Sequence, residues 1–377
     1  MSYSNAKMHP LNHKKKINFS MENRKYNIIG IMSGTSCDGL DIAHCLFYKK
    51  KNNWVYELVN SISVEYPKKL KVRLINCSQL DALSLKILDI DLGEFIQNHI
   101  SEFIKSSKSK FDLISSHGHT VFHNPNKKLS YQIGNPFIIY NSIKIPVIFN
   151  FRELDVIMGG EGAPLVPYGD KKLFNEFDYC INIGGILNIS RLYEKELIGY
   201  DICPANIILN KYSRELNKEY DIDGRLSISG SFNTNLFNAL NKIDYYKDLI
   251  PKSLDISFIE KIYYPLFTDI NPKDILYTFV NHIAYQVNNA IEKEKSRILL
   301  TGGGAFNTHL LEKISNYNKL DHKFIVPNRS IIIFKEAIIF AFLGLLRFLK
   351  HKNISKSVTG SNLSSSSGLI VENKIID

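Results

Sequence analysis

Apolar positions in this chain fall into short alternating runs and longer helical stripes, separated by turns rich in glycine. An apolar run at residues 28–32 enters a turn of Ser33, Gly34, Thr35, Ser36, Cys37, Asp38 and Gly39, and a second apolar run with Leu40, Ile42 and Ala43 leaves it, carrying Asp41. Residues 32–47 and 55–66 alternate as the first strands of a sheet. The stretch 68–107 places Leu83, Leu85, Ile87, Leu88, Leu92, Phe95, Ile96 and Ile100 on recurring faces and predicts helix. Apolar strands at 111–115 and 146–151 each end in polar residues: Ser116, His117, Gly118, His119 and Thr120 after the first, Arg152 and Asp155 after the second. A parallel strand delivers a binding site at such an end. Residues 159–164 hold too many glycines for regular structure.

The pattern restarts near residue 178. A strand at 179–183, a Gly184-Gly185 turn and a returning strand at 187–193 precede Asp201 and a helix expected over 204–216. After an irregular insertion at 251–267 come a helix at 278–293, a strand at 297–301, the loop Gly302-Gly303-Gly304 and a helix at 307–315. A strand at 323–327 and a buried helix at 335–349 follow, and the tail with Val358, Thr359, Gly360 and a serine run reads as surface. At 377 residues the chain is long enough for two domains. The expected division is a disordered extension at 1–25, an N-terminal domain at 26–177 and a C-terminal domain at 178–377.

Composition narrows the function. No apolar run reaches the roughly 20 residues that span a bilayer, which argues against a membrane protein. The formal net charge is +10, but the basic residues are scattered over a chain crowded with Lys, Asn, Ile and Tyr. They form no stripe with interleaved aromatics, so nucleic acid is not the expected partner. Five cysteines in no metal-ligand spacing point to free thiols in a reducing cytoplasm. The first two dozen residues lack the apolar core of a signal peptide.

The turn at 33–39 suits a phosphate. Its glycines let backbone N–H groups approach an anion, its hydroxyls donate, and a carboxylate beside phosphates holds Mg²⁺ directly or through water. It is strand–turn–strand, unlike a Walker A loop, and taken alone it could be an ordinary hairpin. It is not alone. Two glycine-turned hairpins in different halves, with a strand–triple-glycine–helix near the C-terminus, resemble the sugar kinase/Hsp70/actin superfamily. Within it the chain is similar to the anhydro-N-acetylmuramic acid kinases. The similarity rests on residues 30–41, 116–120, 132–135, 151–167, 182–190, 201–206, 220–224, 251–253, 302–307, 336–337 and 357–360, in order along the chain.

The resemblance implies an α/β fold of two related RNase H-like domains with an ATP cleft between them. It implies ATP and Mg²⁺ as cofactors, a small-molecule sugar as partner, and cleavage of the 1,6-anhydro ring of anhydro-N-acetylmuramic acid with phosphorylation of O6. Asp201 takes the place of the family's base. Gly34, Thr35, Ser36, Cys37, Asp38, Gly39, Leu40, Asp41, Gly184, Gly185, Gly302, Gly303, Gly304 and Asn307 take the ATP and phosphate positions, with Asp38 reaching the metal through water. His117, Gly118, His119, Thr120, Arg152, Asp155, Glu161 and Glu336 take the sugar positions, Arg152 offering bidentate recognition to the lactyl carboxylate. A homodimer is left open. Plain structural roles stand beside these: a helix N-cap for Asp201, a first-turn residue for Glu336, a packed thiol for Cys203. Ile202 and Cys203 replace the family's Thr and Gly, and Glu161 replaces its Gln. A kinase of the same fold acting on another sugar, or a kinase-inactive nucleotide-binding regulator, are the alternatives these departures raise.

Overall fold

The computed structural model describes residues 24–34, 37, 39–193 and 197–373. The first sheet is built from β1 (Tyr26–Ser33), β2 (Gly39–Lys50), β3 (Asn53–Glu65), β4 (Leu113–Ser116) and β7 (Val147–Phe149), with β5 (His119–Asn124) and β6 (Leu129–Ile133) as a separate hairpin. The second comprises β8 (Tyr179–Ile183), β9 (Ile186–Arg191), β10 (Ile198–Pro204), β11 (Arg297–Thr301) and β12 (Lys323–Ile325); the last strand, β13 (Leu369–Val371), returns to the edge of the first. The strand orders are β3-β2-β1-β4-β7, extended by β13, and β10-β9-β8-β11-β12.

These are the same arrangement twice. In each, three antiparallel strands form a meander, the first of the three pairs in parallel with one later strand, and that strand pairs in parallel with another. The expected duplicated α/β fold is what the chain adopts. The parallel strands are joined by helical crossovers, as parallel pairing requires. Ala82–Lys105 leads into β4, and Pro272–Asn289 leads into β11.

Several elements differ from expectation, each for a local reason. The predicted helix over 204–216 begins later, at Asn206, because residues 198–204 form the edge strand β10. Gly199, Pro204 and a bulge between Asp201 and Cys203 obscure its alternation. An edge position tolerates all three. The last long helix spans Arg329–Phe348 and is capped by Asn328, whose side chain accepts from Ile331 N at 3.0 Å. Its start was hidden because the apolar stripe runs through its first turns. The insertion at 251–267 contains the helix Ile256–Ile262 and a further turn of helix at Tyr264–Phe267.

The serine tail is not surface. Val358, Thr359, Ser361, Ser365 and Ser367 are all buried. Asn353 holds the tail in place, its amide donating to Leu343 O at 3.0 Å and Ser367 O at 2.8 Å. Ser367 in turn donates to Phe151 O at 2.7 Å.

The helix Arg329–Phe348 packs on β1, β2 and β4 of the first sheet and also on β11 of the second. Near its middle Lys335 forms an ion pair with Asp170 (3.1 Å), both buried, and Asp170 also accepts from Ser190 at 2.8 Å. Breaking one half of a buried pair strands the other charge, at a cost of about 3–5 kcal/mol. Lys335→Met is therefore expected to lower the unfolding free energy measured by urea titration by that amount, and Lys335→Met with Asp170→Leu to recover most of it. A single variant as stable as the parent would show that the pair does not hold this seam.

Candidate active site

The first cluster forms where β1, β4 and β7 end on the same side of their sheet. Arg152 follows β7, and its guanidinium is fixed from two sides: Nε donates to His117 Nε2 at 3.0 Å and Nη1 to Gly162 O at 2.7 Å. His117 must therefore carry its proton on Nδ1, which lies 2.8 Å from Gly118 O. Burial and the neighbouring cation hold its pKa well below the ordinary histidine range. Burial also draws Arg152 down to about 10, against the pull of Glu336 and Asp155, so it stays cationic at neutral pH. Glu336 is raised by burial and opposed by Lys335 and Arg152, with the charge of Asp41 adding to the rise. It sits more than one turn inside its helix, not in the first turn, so the helix dipole does not account for it.

The remaining first-half residues divide by contact. Asp155 is fully buried and spent on the glycine loop: Oδ2 accepts from Gly162 N at 2.9 Å and Oδ1 from Thr359 Oγ1 at 2.8 Å. Glu161 is exposed and its N–H donates to Thr359 O at 2.7 Å. His119 turns toward the first hairpin, with Nδ1 3.2 Å from Ser33 Oγ and Nε2 3.9 Å from Cys37 Sγ. Thr120 is 3.5 Å from the Gln132 amide. Thr35, Ser36 and Asp38 lie outside the described residues, and Asp41 accepts from Ser63 across β2 and β3.

In the second half the two glycine loops come together. Gly184 O and Gly185 O accept from the N–H groups of Ala205, Asn206 and Ile207, tying the β8–β9 turn to the next helix at 2.9–3.1 Å. Asn206 Nδ2 donates to Ile183 O at 3.0 Å. Gly302 stands at φ +81, and a Cβ there would lie 2.6 Å from Asn182 and 2.8 Å from Ile183. Gly303 and Gly185 are different: a Cβ at either would meet one neighbour only, at 3.6 Å and 4.0 Å. Their open faces form a cradle that suits a ligand lying against backbone. Asn307 caps the helix Thr308–Asn316 through Leu310 N at 3.0 Å.

Asp201 lies on β10, so it is no helix cap. Its Oδ2 accepts from Leu254 N at 3.0 Å, its N–H donates to Lys252 O at 3.0 Å, and its carbonyl accepts from Tyr245 at 2.6 Å. Burial lifts its carboxyl to about 6, partly offset by the Leu254 N–H. That clamp was missed from sequence, because nothing local links Asp201 to a loop some 50 positions later. Ile202 and Cys203 are buried in the core of the second half, and burial pushes the Cys203 thiol up, as expected of a packed thiol. Among the described residues no disulfide forms, and all five cysteines are buried. Among the described residues no cluster of three or more His, Cys, Asp or Glu could hold a metal, and no helix is long and apolar enough to cross a membrane.

A family model described as anhydro-N-acetylmuramic acid kinase matches residues 26–373. The chain belongs to the anhydro-N-acetylmuramic acid kinase family. A relative of that name from Sulfurovum sp. is 31% identical over 362 residues, covering 89% of this chain and 96% of its own. Another, from Francisella tularensis subsp. novicida, is 30% identical, covering 90% and 97%. The chain is also similar to the activator of the 2-hydroxyisocaproyl-CoA dehydratase from Clostridium difficile, at TM-score 0.39 and 12% identity over 87% of this chain and 99% of that one.

The glycine loop yields a discriminating pair of variants. Gly302→Ala is expected to destabilise the fold through its positive φ and its overlap with Ile183. Gly303→Ala is expected to melt like the parent while weakening ATP binding by calorimetry, because it fills the open face. Unchanged ATP affinity in Gly303→Ala would remove this loop from the nucleotide site.

Proposed function

We propose that the chain is an ATP-dependent phosphotransferase that opens the 1,6-anhydro ring of anhydro-N-acetylmuramic acid and phosphorylates O6. The product is N-acetylmuramic acid 6-phosphate, within cell-wall recycling and amino-sugar breakdown. The observation that carries this reading is Asp201: a fixed carboxylate with a raised pKa, at the family's base position, in a chain that matches the family model from β1 to β13. The reading takes residues 26–177 and 178–377 as the two domains of an ATP clamp, the second returning its C-terminal segment to the first sheet.

Asp201 accepts the proton of a water that attacks the anomeric carbon. The C1–O6 bond breaks as the C1–O bond to water forms, and the O6 electron pair takes the γ-phosphoryl group in line while ADP leaves. No acid is needed on O6, since phosphorus captures the alkoxide as it develops. Catalysis then rests on positioning and charge neutralisation. Arg152, oriented by His117, holds the lactyl carboxylate, and Glu336 faces a sugar hydroxyl. The open faces of Gly185 and Gly303 fit a nucleotide, and the hairpin at 34–41 takes its phosphates. Mg²⁺ would be held mainly by the nucleotide's phosphates and would neutralise their charge, with Asp38 as the residue at the family position that would bind it through water. The setting is cytoplasmic.

The alternative of another sugar loses its main motive in the core packing of Ile202 and Cys203, which leaves neither side chain to reshape the pocket. In a coupled assay for ADP release, turnover with anhydro-N-acetylmuramic acid is expected to exceed that with glucose; equal turnover would refute the substrate assignment.

Asp201→Asn separates base from scaffold, because an amide oxygen still accepts from Leu254. A loss of about 10²–10⁴ in kcat with ATP affinity kept is expected. The parent's kcat/KM should fall about tenfold per pH unit below about 6, where Asp201 takes up its proton. Stability moves the other way. A folded-state pKa raised from 3.8 to about 6 gives stability that is full below 3.8 and is lost as pH rises through 6. Asp201→Asn should therefore melt higher than the parent at pH 8, by a margin that shrinks toward pH 4. A variant with parental kcat would leave Asp201 as structure only.

A further inference from the structure

Lysines that lie far apart in the sequence are gathered by the topology at one end of the first sheet. β4 and β7 run parallel to β1, so all three begin at the end opposite Arg152. The β2–β3 turn returns to that same end, with Lys50 opposite Asn53. Lys25 precedes β1, Lys50 and Lys51 lead into the turn, and Lys108 and Lys110 precede β4. The helix Arg329–Phe348 also finishes here, with Phe342 against Phe47 and Trp54, and Lys350 and Lys352 follow it. All these lysines are exposed, and none pairs with a carboxylate among the described residues.

Carboxylates do not balance them. Asp112 is taken by Arg24 at 3.4 Å and by the N–H of Asn27 at 2.9 Å. Glu102 stands 3.8 Å from His99, and Glu372 follows β13. Burial and the charge of Lys49 both lower the pKa of His351, which joins the end of β2 to the segment after the helix in one positive field.

The layout selects the partner. The helix Ala82–Lys105 covers the face of β1 that carries Ile29 and Ile31, and the helix Arg329–Phe348 covers the face that carries Ile28. The cations therefore spread over both sides of a sheet end roughly 20 Å wide, its strands about 4.8 Å apart. That is an area, whereas a nucleic-acid backbone is followed by a stripe or groove. The rings here are covered: Tyr26 is buried, and Lys49 and Lys25 lie over Trp54 and Tyr48 at 5.2 and 5.4 Å. None is open for stacking on a base. Lysine attracts a charged surface without needing a matched geometry. We propose that this end of the first sheet docks on an anionic lipid surface. No helix among the described residues is long and apolar enough to cross a membrane, so the contact is peripheral. The eight residues of β1 span roughly 26 Å, which keeps Arg152 and its neighbours clear of the lipid.

The test sediments the full chain with phosphatidylcholine vesicles, with and without about one-third phosphatidylserine. The parent is expected to bind only the anionic vesicles and to be released by high salt. One variant carries Lys50→Gln, Lys51→Gln, Lys350→Gln and Lys352→Gln. A control loses the same charge from exposed positions of the second half, through Lys218→Gln, Lys242→Gln, Lys261→Gln and Lys319→Gln. At roughly fivefold per lysine near the surface, the first variant should lose several hundredfold in vesicle partitioning, and the control little. Both should melt and turn over in solution as the parent does. Failure of the parent to bind anionic vesicles would overturn the proposal, and so would equal losses in the two variants, which would mean net charge alone. Tighter binding of the parent to duplex DNA than to the vesicles, lost in the first variant, would assign the face to nucleic acid and overturn the lipid assignment.

Discussion

The close approach of the helix Arg329–Phe348 to β1 and β4 is the constraint from which the rest of the site follows. A Cβ at Gly30 would overlap Ala337 O, so only glycine lets the helix backbone lie on β1. Ser115 donates to Phe340 O and fixes the helix against β4 as well. This seating directs Glu336 toward Arg152 and Asp41, and Lys335 into the buried pair with Asp170. Because the same helix also packs on β11, it is a shared wall for the two sheets. Small residues at its contacts turn a late segment of the chain into part of the first sheet's environment.

On this frame the two copies of one topology carry different chemistry. In the first, the strand ends present a guanidinium locked by a neutral histidine. In the second, a glycine turn and a glycine loop leave backbone open to a ligand, and a strand carboxylate is held in a partly desolvated setting where it can accept a proton near neutral pH. Desolvation raises Asp201, and the Leu254 N–H limits the rise. The loop that supplies that N–H comes from the insertion between the second copy's meander and its parallel strands, which assigns the insertion a positioning role.

Much of this was legible in sequence. The glycine-turned hairpins, β8 and β11 are recognisable because apolar runs are bounded by glycines that nothing else explains. Arg152 and His117 were singled out as separate residues, but their hydrogen bond was not, since a contact between strand ends leaves no periodic trace. β10 was missed because a glycine, a proline and a bulge mask its alternation. The tail was misjudged because serines read as solvent-facing unless their partners, here Asn353 and Phe151, are known. Asp155 was read as a sugar ligand, whereas its oxygens accept from the loop and from Thr359, a partner some 200 positions away. Sequence reports chemistry at turns and strand ends well, and long-range satisfaction of buried polar groups poorly.

The central claim is that one active site forms from both copies of the fold, with nucleotide held across them and Asp201 facing the anomeric carbon. A crystal structure of the chain with a non-hydrolysable ATP analogue and intact anhydro-N-acetylmuramic acid tests it most directly. The account predicts phosphates between the hairpin at 34–41 and Gly184-Gly185, the lactyl carboxylate on Arg152, and a water between Asp201 and C1. Nucleotide bound by one half alone, or a sugar placed with Asp201 away from its anomeric carbon, would contradict it.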